Sequence, residues 1–206
     1  MIHGYHVIFG AYGFWLPNDP RGSWSEFVAS WELVRFGKTT KGFERLALTI
    51  EQERQRDDAK RNLIYPPVIF TGTQARAIAR GFAKACEKSN LTLWACSLLP
   101  EHIHAVVGRH RFKVEYVVGL LKGEATKQLN RESLHPLAKY RNSKGEIPTP
   151  WNSRCWRTYL DTEEGIDNTI QYVQENPEKE GKRRQNWNFV KAFTGLDQGW
   201  VTYHDA

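Results

Sequence analysis

The sequence predicts an α+β domain in which one antiparallel sheet packs against helices. Short runs of β-branched and aromatic residues, bounded by glycine and proline, are typical of strands, while longer segments repeat apolar residues at the three- and four-residue spacing of helices. With 206 residues, of which 40% are hydrophobic and 25% are charged, the chain can bury a sizeable core and is expected to fold.

The first strand and the first amphipathic helix are recognised by their composition and their ends. Ile2 to Ala11 is rich in aromatic and β-branched residues and is followed by a glycine-containing loop, which predicts a strand. Gln74 to Lys88 repeats apolar residues at helical spacing, and Thr71 or Thr73 can cap this helix. Between them, the charged segment from Ile50 to Asn62 indicates either a helix or a mobile insertion.

A hairpin and a second amphipathic helix follow in the middle of the chain. The apolar run from Leu91 to Leu99 predicts a buried strand, and HIHAVVG, His102 to Gly108, predicts the next one. Only Pro100 and Glu101 separate the two runs, so we expect an antiparallel hairpin. Val114 to Asn130 places its apolar residues on one face, which predicts a helix.

The last elements complete a recognisable order. Cys155 to Leu160 predicts a fourth strand, and Thr162, followed by two acids, predicts the start of a helix that runs to about Glu175 and is ended by Pro177. The order strand, helix, strand, strand, helix, strand matches the ferredoxin-like split βαβ fold, with helices on one face of the sheet. The additional C-terminal helix then follows, and the other sheet face remains free for a site or another element.

Composition and charge restrict the functional classes. No apolar run is long enough to cross a bilayer, and the N-terminus lacks the pattern of a signal peptide. The three cysteines fit neither a disulfide framework nor a zinc cluster, so we expect a reducing compartment and a cytoplasmic protein. Between His102 and Lys144, nine Lys and Arg face three acids, which indicates either a polyanionic partner such as nucleic acid or a solvated basic surface.

Two histidines stand one residue apart in the third predicted strand. Residues i and i+2 of a strand point to the same face, so His102 and His104 should project side by side. Adjacent neutral imidazoles are good metal ligands, although a chance pair is the alternative, and further ligands must come from elsewhere. His3 and His6 are three apart and should point to opposite faces, so we interpret them as ordinary strand residues.

The C-terminal helix carries a second pair of polar residues. In IQYVQENP, Tyr172 and Asn176 are four residues apart and share one helix face. The alternative is structural: Tyr172 can lie at the edge of the apolar stripe, and Asn176 can be a polar residue at the end of the helix.

The combination and order of these segments resemble the single-tyrosine HUH transposases, and within them the REP-associated tyrosine transposase branch. The resemblance covers nearly the whole chain and is carried by four segments: WLPNDPRGS (Trp15 to Ser23), EHIHAVV (Glu101 to Val107), LLKGEATKQLN (Leu120 to Asn130) and YVQENP (Tyr172 to Pro177). It implies a single HUH transposase-like domain over residues 1–206, with an insertion of unknown role at 26–67 and a C-terminal extension at 178–206.

The resemblance implies a metal-dependent single-stranded DNA endonuclease and strand transferase that acts on hairpin-forming repeats through a 5′-phosphotyrosine intermediate. Tyr172 would be the nucleophile, and His102 and His104 would hold a divalent ion, Mg²⁺ or Mn²⁺. Asn176 falls where relatives place a polar third ligand, often Gln, and Glu175 is the alternative ligand.

The expected partner is single-stranded DNA with hairpin repeats, bound by a monomer or homodimer. We expect Lys122 and Lys127 on the basic helix, Arg21 in the early loop and Arg109 to contact DNA, although a solvated helix face is the alternative for the two lysines. Two other functions stay open, namely a non-catalytic nucleic-acid-binding ferredoxin-like module and a metallohydrolase without a covalent step.

Overall fold

The fold was analysed in a computed structural model, which describes residues 1–14 and 49–196 of the chain. The segment from Trp15 to Ser23, with the predicted DNA contact Arg21, and most of the predicted insertion at 26–67 lie outside the described residues. The elements follow one another as β1 (Gly4–Gly10), α1 (Ile50–Arg61), α2 (Gly72–Ser89), β2 (Leu93–Leu98), β3 (His102–Gly108), α3 (Val114–Arg131), β4 (Trp156–Leu160) and α4 (Glu163–Lys179).

The four strands form one antiparallel sheet in the order β2-β3-β1-β4. This arrangement confirms the predicted α+β fold. The backbone N–H of Leu99 donates to the carbonyl of His102 at 2.9 Å, which closes the predicted tight hairpin between β2 and β3. All seven residues of β3 are buried, since this strand lies inside the sheet and is covered on both faces.

Helices α2 and α3 cover one face of the sheet and enclose the larger core. Phe9 of β1 and Ile103 of β3 pack there with Phe82 of α2. The two helices approach most closely at Gly81, where an added Cβ would lie 2.5 Å from the Cα of Ala125, so only glycine fits at this crossing. The predicted cap is confirmed, because Thr71 forms a reciprocal capping box at the start of α2.

Helix α4 lies on the opposite face of the sheet, the face that the sequence left free for a site or another element. Thr162 caps it by accepting a hydrogen bond from the N–H of Gly165. A second, smaller core forms where Ile166 and Val173 of α4 pack against Val106 of β3. Both faces of the sheet are therefore covered, and the two faces differ in size and chemistry.

The expectation that Pro177 ends this helix was wrong, because α4 continues to Lys179. A proline lacks the N–H that would bond the carbonyl four residues earlier, which here belongs to Val173. The buried hydroxyl of Ser97 on β2 donates to that carbonyl instead. The sheet thus satisfies the group that proline leaves unpaired, and the helix runs through.

The charged segment from Ile50 to Asn62, for which the sequence left a helix or a mobile insertion open, forms a helix. Thr49 caps α1 with a capping box formed together with Gln52. Most of this helix is exposed and carries ion pairs along its surface, such as the pair between Lys60 and Asp57 at 3.2 Å. Within residues 1–14 and 49–196, no helix has the length and apolar character that a membrane span requires.

The residues that follow α4 cover the free edge of β2. The side-chain amide of Gln185 bonds both backbone groups of Leu98, accepting from the N–H and donating to the carbonyl at 2.8 Å each. Farther along, the N–H of Lys191 donates to the carbonyl of Leu93, and Phe193 packs edge-on against Trp94. An exposed edge strand invites pairing with other chains, and these contacts occupy it.

We predict that the stability cost of Ser97→Ala depends on residue 177. In the native chain the substitution leaves the buried carbonyl of Val173 without a donor, so the free energy of unfolding should fall by about 1–3 kcal/mol. In a Pro177→Ala background the backbone N–H of residue 177 can bond that carbonyl, and the cost of Ser97→Ala should shrink. Urea unfolding of the four proteins measures this double-mutant cycle. Equal costs in both backgrounds would contradict the account of the proline.

Candidate active site

The two histidines of β3 lie side by side on the sheet face that α4 covers. The ring centroids of His102 and His104 are 5.0 Å apart, and both side chains are buried. The ring of His102 stacks on Phe14 at 4.7 Å, and its Nε2 lies 3.8 Å from a carboxylate oxygen of Glu180, just beyond α4. The predicted sharing of one face is confirmed by the alternation along β3.

A third histidine joins them from the neighbouring strand. Nε2 of His6 lies 3.1 Å from Nδ1 of His104, and the two rings stack with centroids 5.3 Å apart. The interpretation of His6 as an ordinary strand residue was therefore wrong. Its spacing from His3 excluded a pair of histidines within β1 but gave no information about the neighbouring strand. In the sheet, His6 pairs with Val106 of β3, which is two residues from His104 and shares its face.

Tyr172 lies directly over this pair of imidazoles. Its ring centroid is 5.8 Å from those of both His6 and His104, and 43% of the residue is exposed. Asn176, which is buried one helical turn later, hydrogen-bonds the tyrosine hydroxyl. The ammonium of Lys179 lies 4.7 Å from the ring centroid, so the phenol has a cation and an amide as neighbours on α4.

Burial determines the charge state of this site. It raises the pKa of Tyr172, an effect that the hydrogen bond from Asn176 opposes, so the phenol is protonated at neutral pH. Burial lowers the pKa of His6 to about 4. The pKa of His104 is lowered well below its ordinary value, first by burial and then by the neighbouring His102 and His6. His6 and His104 are therefore neutral, the form in which imidazole binds metals.

The described residues supply some, but not all, of the ligands that a divalent metal ion needs. No group of three or more His, Cys, Asp or Glu side chains converges to hold an ion in the part of the chain that the structure describes. His102 and His104 supply two adjacent imidazoles, and the amide of Asn176 lies on the facing helix. The alternative ligand Glu175 is engaged elsewhere, since it accepts from the amide of Gln171 and lies 3.7 Å from Lys179.

The predicted DNA contacts lie away from the imidazoles. Lys122 and Lys127 are on α3, which covers the opposite face, and Arg109 follows β3 at the end remote from His102. The ammonium of Lys122 donates to the carbonyls of Asn152 and Arg154, and burial lowers its pKa to about 8. Lys127 is mostly exposed and pairs with Glu124 at 2.8 Å.

A family model described as "Transposase IS200 like" matches residues 64–176 of this chain. The match covers more than half of the 206 residues. The chain belongs to the IS200-like transposase family. The matched range includes β2, β3 and α3, and it extends along α4 to Asn176. The histidines of β3 and residues Tyr172 and Asn176 of α4 therefore lie within the matched range, whereas His6 on β1 and Lys179 lie outside it.

Two solved structures resemble this transposase family member at low sequence identity. One is a REP-associated tyrosine transposase bound to a REP hairpin, with 12% identity, a TM-score of 0.47, and coverage of 91% of this chain and 74% of the other. The second is a candidate transposase from Deinococcus radiodurans R1, with 12% identity, a TM-score of 0.36, and coverage of 85% and 91%. No curated protein matches the chain. Both TM-scores lie below 0.5, and family membership follows from the sequence match.

Sequence reasoning missed two residues that shape the site of this transposase. His6 would have been found by aligning β1 against β3, because His residues at matching positions of neighbouring strands share a face. Ser97 gave no signal of its own, since a single serine in an apolar strand is common. Ser97 pairs with His104 in the β2–β3 ladder, and its hydroxyl donates to the carbonyl of Val173 on α4. It therefore links the strands that surround the histidines to the helix that carries Tyr172.

We predict that His6 stabilises the site through its hydrogen bond with His104. His6→Phe keeps an aromatic ring but removes the nitrogen, and it should lower the free energy of unfolding by about 1–3 kcal/mol. His6→Gln places an amide near the lost Nε2 and should cost less. Denaturant unfolding at pH 7 compares the two variants. If His6→Phe were as stable as the native protein, the hydrogen bond would have no stabilising role.

Proposed function

We propose that this chain is a metal-dependent single-stranded DNA endonuclease and strand transferase that forms a 5′-phosphotyrosine intermediate on hairpin-forming repeats. One observation carries the proposal: the half-exposed ring of Tyr172 lies against the buried, neutral His104, in a chain of a transposase family. A phenol that is open to solvent and next to metal-binding side chains can reach a phosphodiester, whereas a purely structural tyrosine would be buried further.

Tyr172 would act as the nucleophile. Its oxygen attacks the scissile phosphorus and its proton passes to solvent, while the bond from phosphorus to the 3′-oxygen of the preceding nucleotide breaks and that oxygen takes up a proton from solvent to leave as a 3′-hydroxyl. The new phosphotyrosine ester retains the energy of the broken bond, so a 3′-hydroxyl of another strand can reverse the step and join. Asn176 and Lys179, which contact the phenol and its ring, would favour the negative charge that develops on the oxygen during attack.

His102 and His104 would hold the divalent ion, Mg²⁺ or Mn²⁺. When bound, the ion would polarise a non-bridging oxygen of the scissile phosphate, so that less activation of a weak phenol nucleophile is needed. Asn176 is proposed as a third ligand, and this role competes with its hydrogen bond to Tyr172. Glu180, whose carboxylate lies 3.8 Å from His102, is a further oxygen donor next to the pair.

The proposed DNA contacts extend beyond the active-site face. Lys127 and Arg109 have exposed side chains and would bind phosphates, as would Arg21 in the early loop. Lys122 is also proposed to contact DNA, although its ammonium already bonds two backbone carbonyls and its first role is to hold the segment before β4.

We predict that Tyr172→Phe abolishes the covalent adduct and leaves DNA binding intact. The ring is kept, so folding should be unchanged, while adduct formation should fall by roughly a thousandfold or more because the nucleophilic oxygen is gone. The substrate is the single-stranded repeat that flanks the gene, incubated with Mn²⁺ and analysed on a denaturing gel. His104→Ala should also fail to cut, and titration calorimetry should show weaker Mn²⁺ binding for this variant only.

This pair of variants separates the proposal from its rivals. A metallohydrolase would still cut the DNA when residue 172 is phenylalanine, and a non-catalytic binding module would not cut even with the native chain. An adduct that persists in Tyr172→Phe would assign the nucleophile to another residue, and Tyr159→Phe and Tyr116→Phe would then identify it.

We predict that the two lysines of α3 differ in what they support. Lys127→Ala should weaken DNA binding and lower the slope of log affinity against log salt by about 0.7, the effect of one lost phosphate contact on a single strand. Its stability should hardly change, since exposed ion pairs contribute about 1 kcal/mol or less. Lys122→Ala should lower the free energy of unfolding by about 1–3 kcal/mol, because two carbonyls lose their donor. Fluorescence anisotropy and urea unfolding measure the two effects, and a reversed pattern would contradict the assignment.

A further inference from the structure

A cleft lies between α3 and the segment that leads into β4, on the sheet face opposite the imidazoles. Its volume is about 320 Å³, and three basic side chains and one acid contribute to its lining, namely Lys122, Arg154, Arg157 and Glu115. Gly119 also lines it, and an added Cβ there would meet nothing within 4 Å, so the wall is open at that point. The cleft is therefore accessible and carries an excess of positive charge.

Two exposed tyrosines are close in the chain to residues that line this cleft, since Tyr116 follows Glu115 and Tyr159 comes two residues after Arg157. Tyr116 is 57% exposed and Tyr159 is 52% exposed, and the only other tyrosine with such exposure among the described residues is Tyr172. Arg157 connects them, because its guanidinium lies 5.9 Å from the ring centroid of Tyr159 and forms an ion pair with Glu115, the residue before Tyr116. Aromatic rings that remain in solvent at a basic cleft are typical of surfaces that bind unpaired bases.

The cleft is close to the active site across a single strand. Residues of β4 alternate between the two sheet faces, so Trp156 contacts His6 on the α4 face while Arg157 and Tyr159 point to the α3 face. Among the residues that the structure describes, β4 is an edge strand, and no other strand pairs with its outer side. A strand of DNA that leaves the imidazoles can therefore pass over this edge and reach the cleft.

We propose that this cleft, together with the two tyrosines, binds single-stranded DNA next to the segment that is cleaved, an inference that rests on the proposed function. The bases stack on Tyr116 and Tyr159, and the phosphates bind Arg154 and Arg157. These contacts involve the faces of the bases and the charge of the phosphates, so they tolerate any sequence. Recognition through hydrogen bonds to base edges would instead be sequence-specific. Glu115 opposes the binding, because its carboxylate neutralises Arg157 and repels the phosphates.

The first experiment measures binding of the native chain and its variants to a fluorescein-labelled oligothymidine of about 20 nucleotides by anisotropy, without divalent ions. Tyr116→Ala with Tyr159→Ala should weaken binding at least about tenfold, because each stacked base contributes substantially. The matched pair Tyr116→Phe with Tyr159→Phe keeps both rings and should bind nearly as well as the native chain. Ile69→Ala removes an exposed apolar side chain elsewhere and should change nothing.

The second experiment removes in turn the positive and the negative charge of the Arg157–Glu115 ion pair in the same cleft. Arg157→Gln should weaken binding and lower its salt dependence, whereas Glu115→Gln should strengthen binding, since it frees Arg157 and removes a repulsive charge. Opposite signs from two residues of one ion pair are not expected from a structural role, which would make both substitutions merely destabilising. Melting temperatures of all variants verify that the fold is intact.

The outcomes separate this inference from the function on which it rests. Unchanged affinity in the double alanine variant, together with normal adduct formation on the hairpin repeat, would contradict DNA binding by the cleft and leave the proposed function intact. If the double alanine variant binds more weakly but the native chain forms no adduct, the cleft would be supported as a DNA-binding surface, and the role of Tyr172 as nucleophile would be contradicted. Equal weakening for a fully duplex oligonucleotide would overturn the assignment to single strands.

Discussion

The register between β1 and β3 is the constraint on which the rest of the structure depends. Ile8 pairs with His104, and Gly10 pairs with His102, in an uninterrupted antiparallel ladder. Because side chains alternate, this register sends Phe9 and Ile103 into the larger core and the histidines to the opposite face. A slip by one residue would turn the imidazoles toward α2 and α3 and the apolar set toward α4, so one pairing decides both the core and the site.

Buried polar groups need hydrogen-bond partners, and here these contacts join four elements. His6 on β1 bonds His104 on β3, while Ser97 on β2 bonds the carbonyl that Pro177 leaves unpaired on α4. These contacts satisfy groups that would otherwise be costly to bury, and they hold the tyrosine helix against the sheet in one position. The position of the phenol over the imidazoles is thus a consequence of how the polar groups are satisfied.

The two edges of the sheet differ in the residues that cover them, which affects where a partner can approach. Residues after α4 occupy the edge of β2, with the amide of Gln185 taking both backbone groups of Leu98. The edge at β4 carries Trp156 on one face and Arg157 and Tyr159 on the other. Within residues 1–14 and 49–196 no strand pairs with this outer edge, and the edge is basic and aromatic, which suits a nucleic acid better than another strand of protein.

Local periodicity in the sequence determined the elements, their order and the side-by-side placement of His102 and His104, because strand and helix faces depend only on neighbouring residues. The family followed from segments that could be read directly along the chain. Only the tertiary structure decided that His6 belongs with His104, 98 residues away, that α4 passes through Pro177, and that Lys122 bonds the segment before β4. Each of these depends on which distant groups satisfy a buried polar atom, and no local pattern in the sequence encodes that choice.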